Sequence, residues 1–299
     1  MRRFLCGTPQ RRRWRPSPWD DFLNATLPLL IQSRQPISIE LSNIADRAHQ
    51  QPQSRLFELL PTELRLLIYE AALTEPGLVS HMLAHRDKRW NTENLNWGHW
   101  HCDRSGSSLL RWQQPCFGTG DSETNLCARL RPRLNTDPTS LLLTCRLIYS
   151  EAIHILYGYN TFGFMSTSSL LSFYCLYKSN WHMIRRIDLA TLLHVPVETM
   201  AVSSHPRLEY DDWNKACTVI STLPALAIFS VNLTVWSSKT RRPVMSVSKE
   251  DLLAIFGPLQ QLDVREFKVE SNLHVEDSLA DLLGPLSFRM VQRDRSYVL

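Results

Sequence analysis

From Ser168 to Met290 the chain alternates stretches of helical period with short stretches of period two, and that alternation limits the fold more than any other feature. Ser168 to Tyr177 reads as a helix leading into a strand near Ile184 to Leu192. Trp213, Ala216, Cys217 and Ile220 mark a helix behind Asp211 and Asp212, closed by Pro224. Phe229, Val231, Leu233 and Val235 then alternate with Ser230, Asn232 and Thr234, the pattern of a strand with one buried face. Ser248 and Asp251 have capping-box spacing for a helix through Leu252, Leu253 and Phe256. Gly257-Pro258-Leu259 precedes a strand with Phe267 and Val269; a last helix near Leu279 and Leu282 runs into Gly284-Pro285-Leu286, before a strand with Phe288 and Met290. Helices crossing between successive strands favour a parallel sheet with right-handed connections. Pro224, Pro258 and Pro285 recur at 34 and 27 residues, near the period of leucine-rich solenoids. The Leu-x-x-Leu-x-Leu consensus is absent, so an irregular repeat stack and a compact α/β layer both fit.

Upstream lie two helical segments. In the first, Leu60, Leu64, Leu67, Ile68 and Ala71 draw one apolar stripe, with Pro61 at the first helical position and Glu63 in the first turn. Thr74 to Gly77, with Pro76 among them, ends it. The second opens with Asp137-Pro138 as N-cap and first-turn proline. Leu142, Cys145, Ile148, Ala152 and Ile155 share one face, widened by Leu141, Tyr149 and Leu156, and Gly158 is placed to end the helix. Asn160 to Phe164 then reads as extended. Stripes this wide predict that the two segments pack together. Glu70 and Glu151 are each read on the polar edge of their own helix.

The strings Leu60-Pro61-x-Glu63-Leu64 with Ile68-Tyr69-Glu70, Cys145-Arg146-x-Ile148-Tyr149-x-Glu151-Ala152, and Leu156-Tyr157-Gly158-x-Asn160-Thr161-Phe162 resemble the two halves of a module. That module is the F-box-like domain of an uncharacterised fungal family. The resemblance implies a substrate-recruiting subunit of a cullin-RING ubiquitin ligase, in which the F-box helices dock on a Skp-type adaptor and the following domain holds a protein target. Carried over by position, Leu60, Pro61, Leu64 and Ile68 face the adaptor, with Leu142 and Cys145 from the second half. An interaction domain without a ligase role is the alternative. The fold class is then α+β: a helical F-box-like module split by a long insert, followed by an irregular α/β repeat-like region. The divisions are a basic disordered arm (1–20), a linker (21–53), the split module (54–165, insert 77–136) and the repeat-like interaction domain (166–299).

The chain has 299 residues, enough for a sizeable core, and a net charge of +4. Six arginines, at 2, 3, 11, 12, 13 and 15, precede the first acidic residue, so everything after residue 15 sums to −2. The body therefore offers no nucleic-acid stripe. The arm reads as disordered, with nuclear import, a transit peptide and nucleic-acid contact as its other readings. No apolar run approaches the ~20 residues that span a bilayer. Seven irregularly spaced cysteines fit free thiols in a reducing compartment. The expectation is an intracellular protein of cytoplasm or nucleus, with no membrane partner.

The insert is polar and irregular, yet Trp90, Trp97, Trp100 and Trp112 lie in it, which predicts that part of it docks on the fold. His99, His101, Cys102, Cys116 and Cys127 are its nearest approach to a metal set, without the close cysteine pairing that zinc favours. Gly118-Thr119-Gly120 lacks the Lys-Ser/Thr of a phosphate loop, and no G-x-S-x-G or H-E-x-x-H string occurs. The sequence thus predicts no enzyme, no cofactor and no metal.

Overall fold

The computed structural model describes residues 54–74, 78–86, 95–103, 138–164, 166–195, 206–237, 244, 246–274 and 276–292, all within one compact unit, residues 36–299. In chain order the elements are α1 (Arg55–Leu59), α2 (Thr62–Leu73), β1 (Leu78–Arg86), β2 (Leu95–Asp103), α3 (Pro138–Leu142), α4 (Arg146–Tyr159) and β3 (Thr161–Phe164). They continue with α5 (Thr167–Trp181), β4 (Arg186–Val195), α6 (Pro206–Ser221), β5 (Ile228–Ser237), α7 (Lys249–Gln260), β6 (Glu266–Ser271), α8 (Glu276–Leu283) and β7 (Arg289–Gln292).

The protein is α+β, built on one seven-stranded sheet of order β2-β1-β3-β4-β5-β6-β7. Six strands are parallel, and β2 joins β1 antiparallel at the edge. From β3 onward each strand pairs with its successor through a helical crossover. Such connections are right-handed, so they lay their helices on one face of the sheet. Accordingly α5 packs on α6, α6 on α7 and α7 on α8. Local chemistry fixes where these helices begin and end. Ser166 and Ser169 exchange side-chain and backbone bonds at the start of α5, and Ser248 Oγ accepts from the Asp251 N–H at 3.1 Å before α7. Gly284, at φ 73°, takes the left-handed turn after α8, where a side chain would be strained.

Between the layers lies the core. Ile187, Leu189 and Leu193 of β4, Phe229, Val231, Leu233 and Val235 of β5, and Val269 of β6 are fully buried on the helix side. Trp213 of α6 fills the middle and donates its indole N–H to the Ile255 carbonyl of α7 at 2.9 Å. Aromatic contacts run Tyr157–Phe162–Phe173 at one end and Phe229–Phe267–Phe288 at the other. Alternate residues, among them Asp188, Asn232 and Glu270, place buried polar groups on the second face, with Asn232 and Glu270 in direct register. At the end of β5, Asn272 accepts from Val235 N–H and donates to the carbonyls of Val235 and Val244.

Several expectations need correction. Leu78–Arg86 and Leu95–Asp103 of the insert are not irregular: β1 and β2 form a nine-residue antiparallel ladder, and β1 carries it into the sheet beside β3. In Leu78–Arg86 the residues come in runs (Leu78-Val79, Ser80-His81, Met82-Leu83-Ala84), and in Leu95–Asp103 the apolar phase shifts between Trp97 and Trp100, so neither segment keeps the period of two that would mark a strand. The second helical segment is broken, not continuous. Thr144 turns its N–H and hydroxyl back to the Leu141 carbonyl, ending α3, and Cys145 starts α4 as an extended N-cap whose Sγ accepts from Ile148 N–H at 3.4 Å. Gly158 lies within α4, which runs on to Tyr159. Pro258 likewise sits inside α7, in its last turn. β3 and β4 pair in parallel, so strands on either side of residue 165 lie in the same sheet.

Candidate functional site

The corner made by α1, α2 and the α3–α4 turn carries the strings singled out in the sequence, and α2 is turned there in an unexpected sense. Its inward face holds Arg65, Tyr69 and Leu73, four residues apart. The stripe expected to be buried points outward: Leu64, Leu67 and Ile68 are 46, 60 and 45% exposed. Leu59 at the end of α1 and Leu143 after α3 are exposed at 68 and 80%. Five large apolar side chains in two short segments thus face away from the core.

What α2 buries instead is an ion cluster. Arg65 donates through Nε to Glu151 Oε2 at 3.0 Å and through Nη2 to Glu151 Oε1 at 2.5 Å. Its Nη1 reaches the Leu60 carbonyl at 2.7 Å and its Nη2 also the Thr62 hydroxyl at 3.1 Å, while the guanidinium lies 5.2 Å over the Phe57 ring. Tyr69 donates its hydroxyl to Glu151 Oε2 at 3.0 Å. Hydrogen bonding to the Glu151 carboxylate holds the Arg65 proton more firmly than usual. Burial, and then the same carboxylate, pushes the Tyr69 hydroxyl up to about 12. Glu151 is therefore at the joint between the helices and not on a polar edge, whereas Glu70 is exposed. At the far end of α2, Asn160 donates to the Leu73 carbonyl at 2.8 Å and to the Leu156 carbonyl at 3.0 Å. Arg65 meets Glu151 near the start of α2, and Leu73 meets Asn160 at its end, so α2 and α4 run side by side in the same direction.

Among the six residues expected to meet an adaptor, Pro61, Leu64 and Ile68 are exposed and lie together on the α1–α2 corner. Leu60 is half-buried at the turn, its carbonyl held by Arg65. Leu142 is 5% exposed and belongs to the core. Cys145, half-buried, is occupied as the α4 cap. Sequence reasoning missed Arg65 and Tyr69, and their signal was faint: an arginine and a tyrosine four apart opposite the leucine stripe. Among the described residues no group of three or more His, Cys, Asp or Glu is placed to hold a metal ion, and no helix is long and apolar enough to cross a membrane. Cys116 and Cys127 lie outside the described residues, as do the arm, the linker and Gly118 to Gly120.

Residues 49–270 match the family described as Domain of unknown function (DUF7730), and the chain belongs to that family. The match takes in α1 through β6, so the exposed corner and the ion cluster both fall inside the family domain. No curated protein and no solved structure matches the chain.

Proposed function

We propose that this chain is a non-catalytic protein-interaction protein, the substrate-recruiting F-box-type subunit of a cullin-RING ubiquitin ligase. It docks a Skp-type adaptor through the α1–α2 corner and holds an unidentified protein target on the α/β part. The observation that carries this reading is the outward-facing set Leu59, Leu64, Leu67, Ile68 and Leu143, on the segments whose strings resemble the F-box-like module of fungal proteins. Exposed apolar patches of this kind mark interaction sites more often than they mark packing accidents. The topology is compatible with a binding role: from β1 through β7 the parallel strands advance in one direction. Ligand crevices of open α/β sheets form where that direction reverses.

A second reading is an F-box-derived interaction domain with no ligase role. It is favoured by Leu142 and Cys145, which serve the core and a helix cap and so are not offered to a partner. Affinity capture with a purified Skp-type adaptor separates the two. The first reading expects retention of the full chain, and of a chain lacking residues 1–53, at low micromolar adaptor. Absence of retention for both chains leaves the second. Retention that needs residues 1–53 moves the contact away from the α1–α2 corner.

A further inference from the structure

We propose that Arg65, Glu151 and Tyr69 form a clasp that positions the α1–α2 corner for its partner, with Arg65 as its hub; the inference rests on the adaptor-docking reading. Arg65 touches each part of that corner. Its ring contact reaches Phe57 in α1, its Nη1 holds the Leu60 carbonyl in the turn, its Nη2 holds Thr62 in the first turn of α2, and its fork engages Glu151 of α4. Leu59 and Leu64, two of the exposed apolar residues, lie on either side of Leu60, so the carbonyl bond fixes the turn between them.

The clasp is built for direction more than for adhesion. A buried ion pair loses in desolvation much of what it gains in attraction, and an apolar pair of similar volume often holds a fold as well. What an apolar pair cannot do is bind a carbonyl, a hydroxyl and a carboxylate in one orientation. The planar guanidinium does this because its donors leave in fixed directions. Glu151 is itself locked: Oε1 accepts from Arg65, and Oε2 accepts from both Arg65 and Tyr69. With Asn160 on the Leu73 carbonyl, α2 is tied to α4 and its cap at both ends. The outward stripe is therefore set by polar bonds on the inward face.

The test compares the full chain with Arg65→Met/Glu151→Leu and with Arg65→Lys, reading three quantities: melting temperature, affinity for a purified Skp-type adaptor, and amide exchange. The double variant is expected to melt within a few degrees of the parent. It should bind the adaptor at least about tenfold more weakly, and the amides of residues 58–66 should exchange at least about tenfold faster while those of β4 and β5 are unchanged. Arg65→Lys keeps the charge, loses the fork and should move binding and exchange in the same sense; it carries the test should the double variant not fold. Unchanged adaptor affinity in a parent chain that does bind overturns the clasp as a positioning device. A parent chain that does not bind defeats the docking reading instead. The clasp is then judged by exchange alone: faster exchange confined to residues 58–66 upholds it, and unchanged exchange overturns it.

Discussion

An arginine is the residue a short helix in water is least expected to turn inward, since removing its charge from water costs several kcal/mol before any partner is counted. Leu64 and Leu67, its apolar neighbours, are turned outward. That reversal rests on Glu151, 86 residues away in sequence, which supplies both carboxylate oxygens to Arg65 and one of them to Tyr69. Breaking such a pair from one side leaves an uncompensated charge, worth ~3–5 kcal/mol when burial is complete. Here the two side chains keep 11 and 15% exposure, which favours the low end. Glu151→Ala should therefore destabilise the protein by about 3 kcal/mol, and adding Arg65→Ala should cost less than the sum of the two single changes. Urea unfolding of the four chains checks both; additive changes would mean that the pair is not coupled. None of this was legible from one helix at a time. Periodicity ranks residues by hydrophobicity and so assigns the leucines to the inside. It cannot see that a polar pair across 86 residues takes that place.

At the scale of elements, legibility followed the length and purity of the pattern. The alternation from Phe229 to Val235 and the Ser248 cap appear where the sequence put them, as β5 and the start of α7. The β1–β2 pair did not show, because its apolar residues keep no period of two and the sequence between the strands holds no Asn-Gly or Asp-Gly. The break between α3 and α4 was also hidden, since Thr144 and Cys145 act there through local bonds that an apolar count ignores. Asn272 shows what such local bonds are worth. Fully buried, it closes the end of β5 through the N–H and carbonyl of Val235 and ties down Val244. Asn272→Ala would strand those groups away from water, at roughly 1–3 kcal/mol for each that finds no water. The expected outcome is a loss of about 2–3 kcal/mol in urea unfolding, with faster exchange at the end of β5. Asn272→Asp should cost at least as much at neutral pH, because it keeps the acceptor for the Val235 N–H but sets a buried carboxylate oxygen against the Val235 and Val244 carbonyls. A clearly smaller loss than in Asn272→Ala would show that the two donated bonds are not what matters.

Over the whole molecule, one sheet joins the helical corner to the α/β part, so stability lost in either is felt by both. Three buried groups in different places make this measurable at high pH. Burial pushes Cys217 of α6 up to about 12 from 9.0, and burial likewise pushes Tyr157 of α4 up to about 12 from 10.0. Tyr69 of α2 moves in the same sense. The folded state holds these protons more tightly than the unfolded chain. The stability they contribute is complete below the unfolded values and falls as pH rises through 9 and 10 toward 12. Each deeply buried group delayed by two pH units or more removes on the order of 3 kcal/mol when fully titrated. The urea midpoint should therefore fall steeply above about pH 9, and less steeply in Cys217→Ala once its own cavity cost is subtracted at neutral pH. A midpoint that is flat to pH 11 would contradict the burial of these groups. The proposed docking of a Skp-type adaptor on the outward stripe of α2 is decided by titration calorimetry of the adaptor with the full chain and with Leu64→Ala/Ile68→Ala. Both side chains are about half exposed, so the variant should keep the parent circular dichroism and melting temperature. The expected result is binding by the parent and a loss of ~2–4 kcal/mol, thirtyfold or more, in the variant. No heat from the parent, or equal affinity for parent and variant, would contradict it.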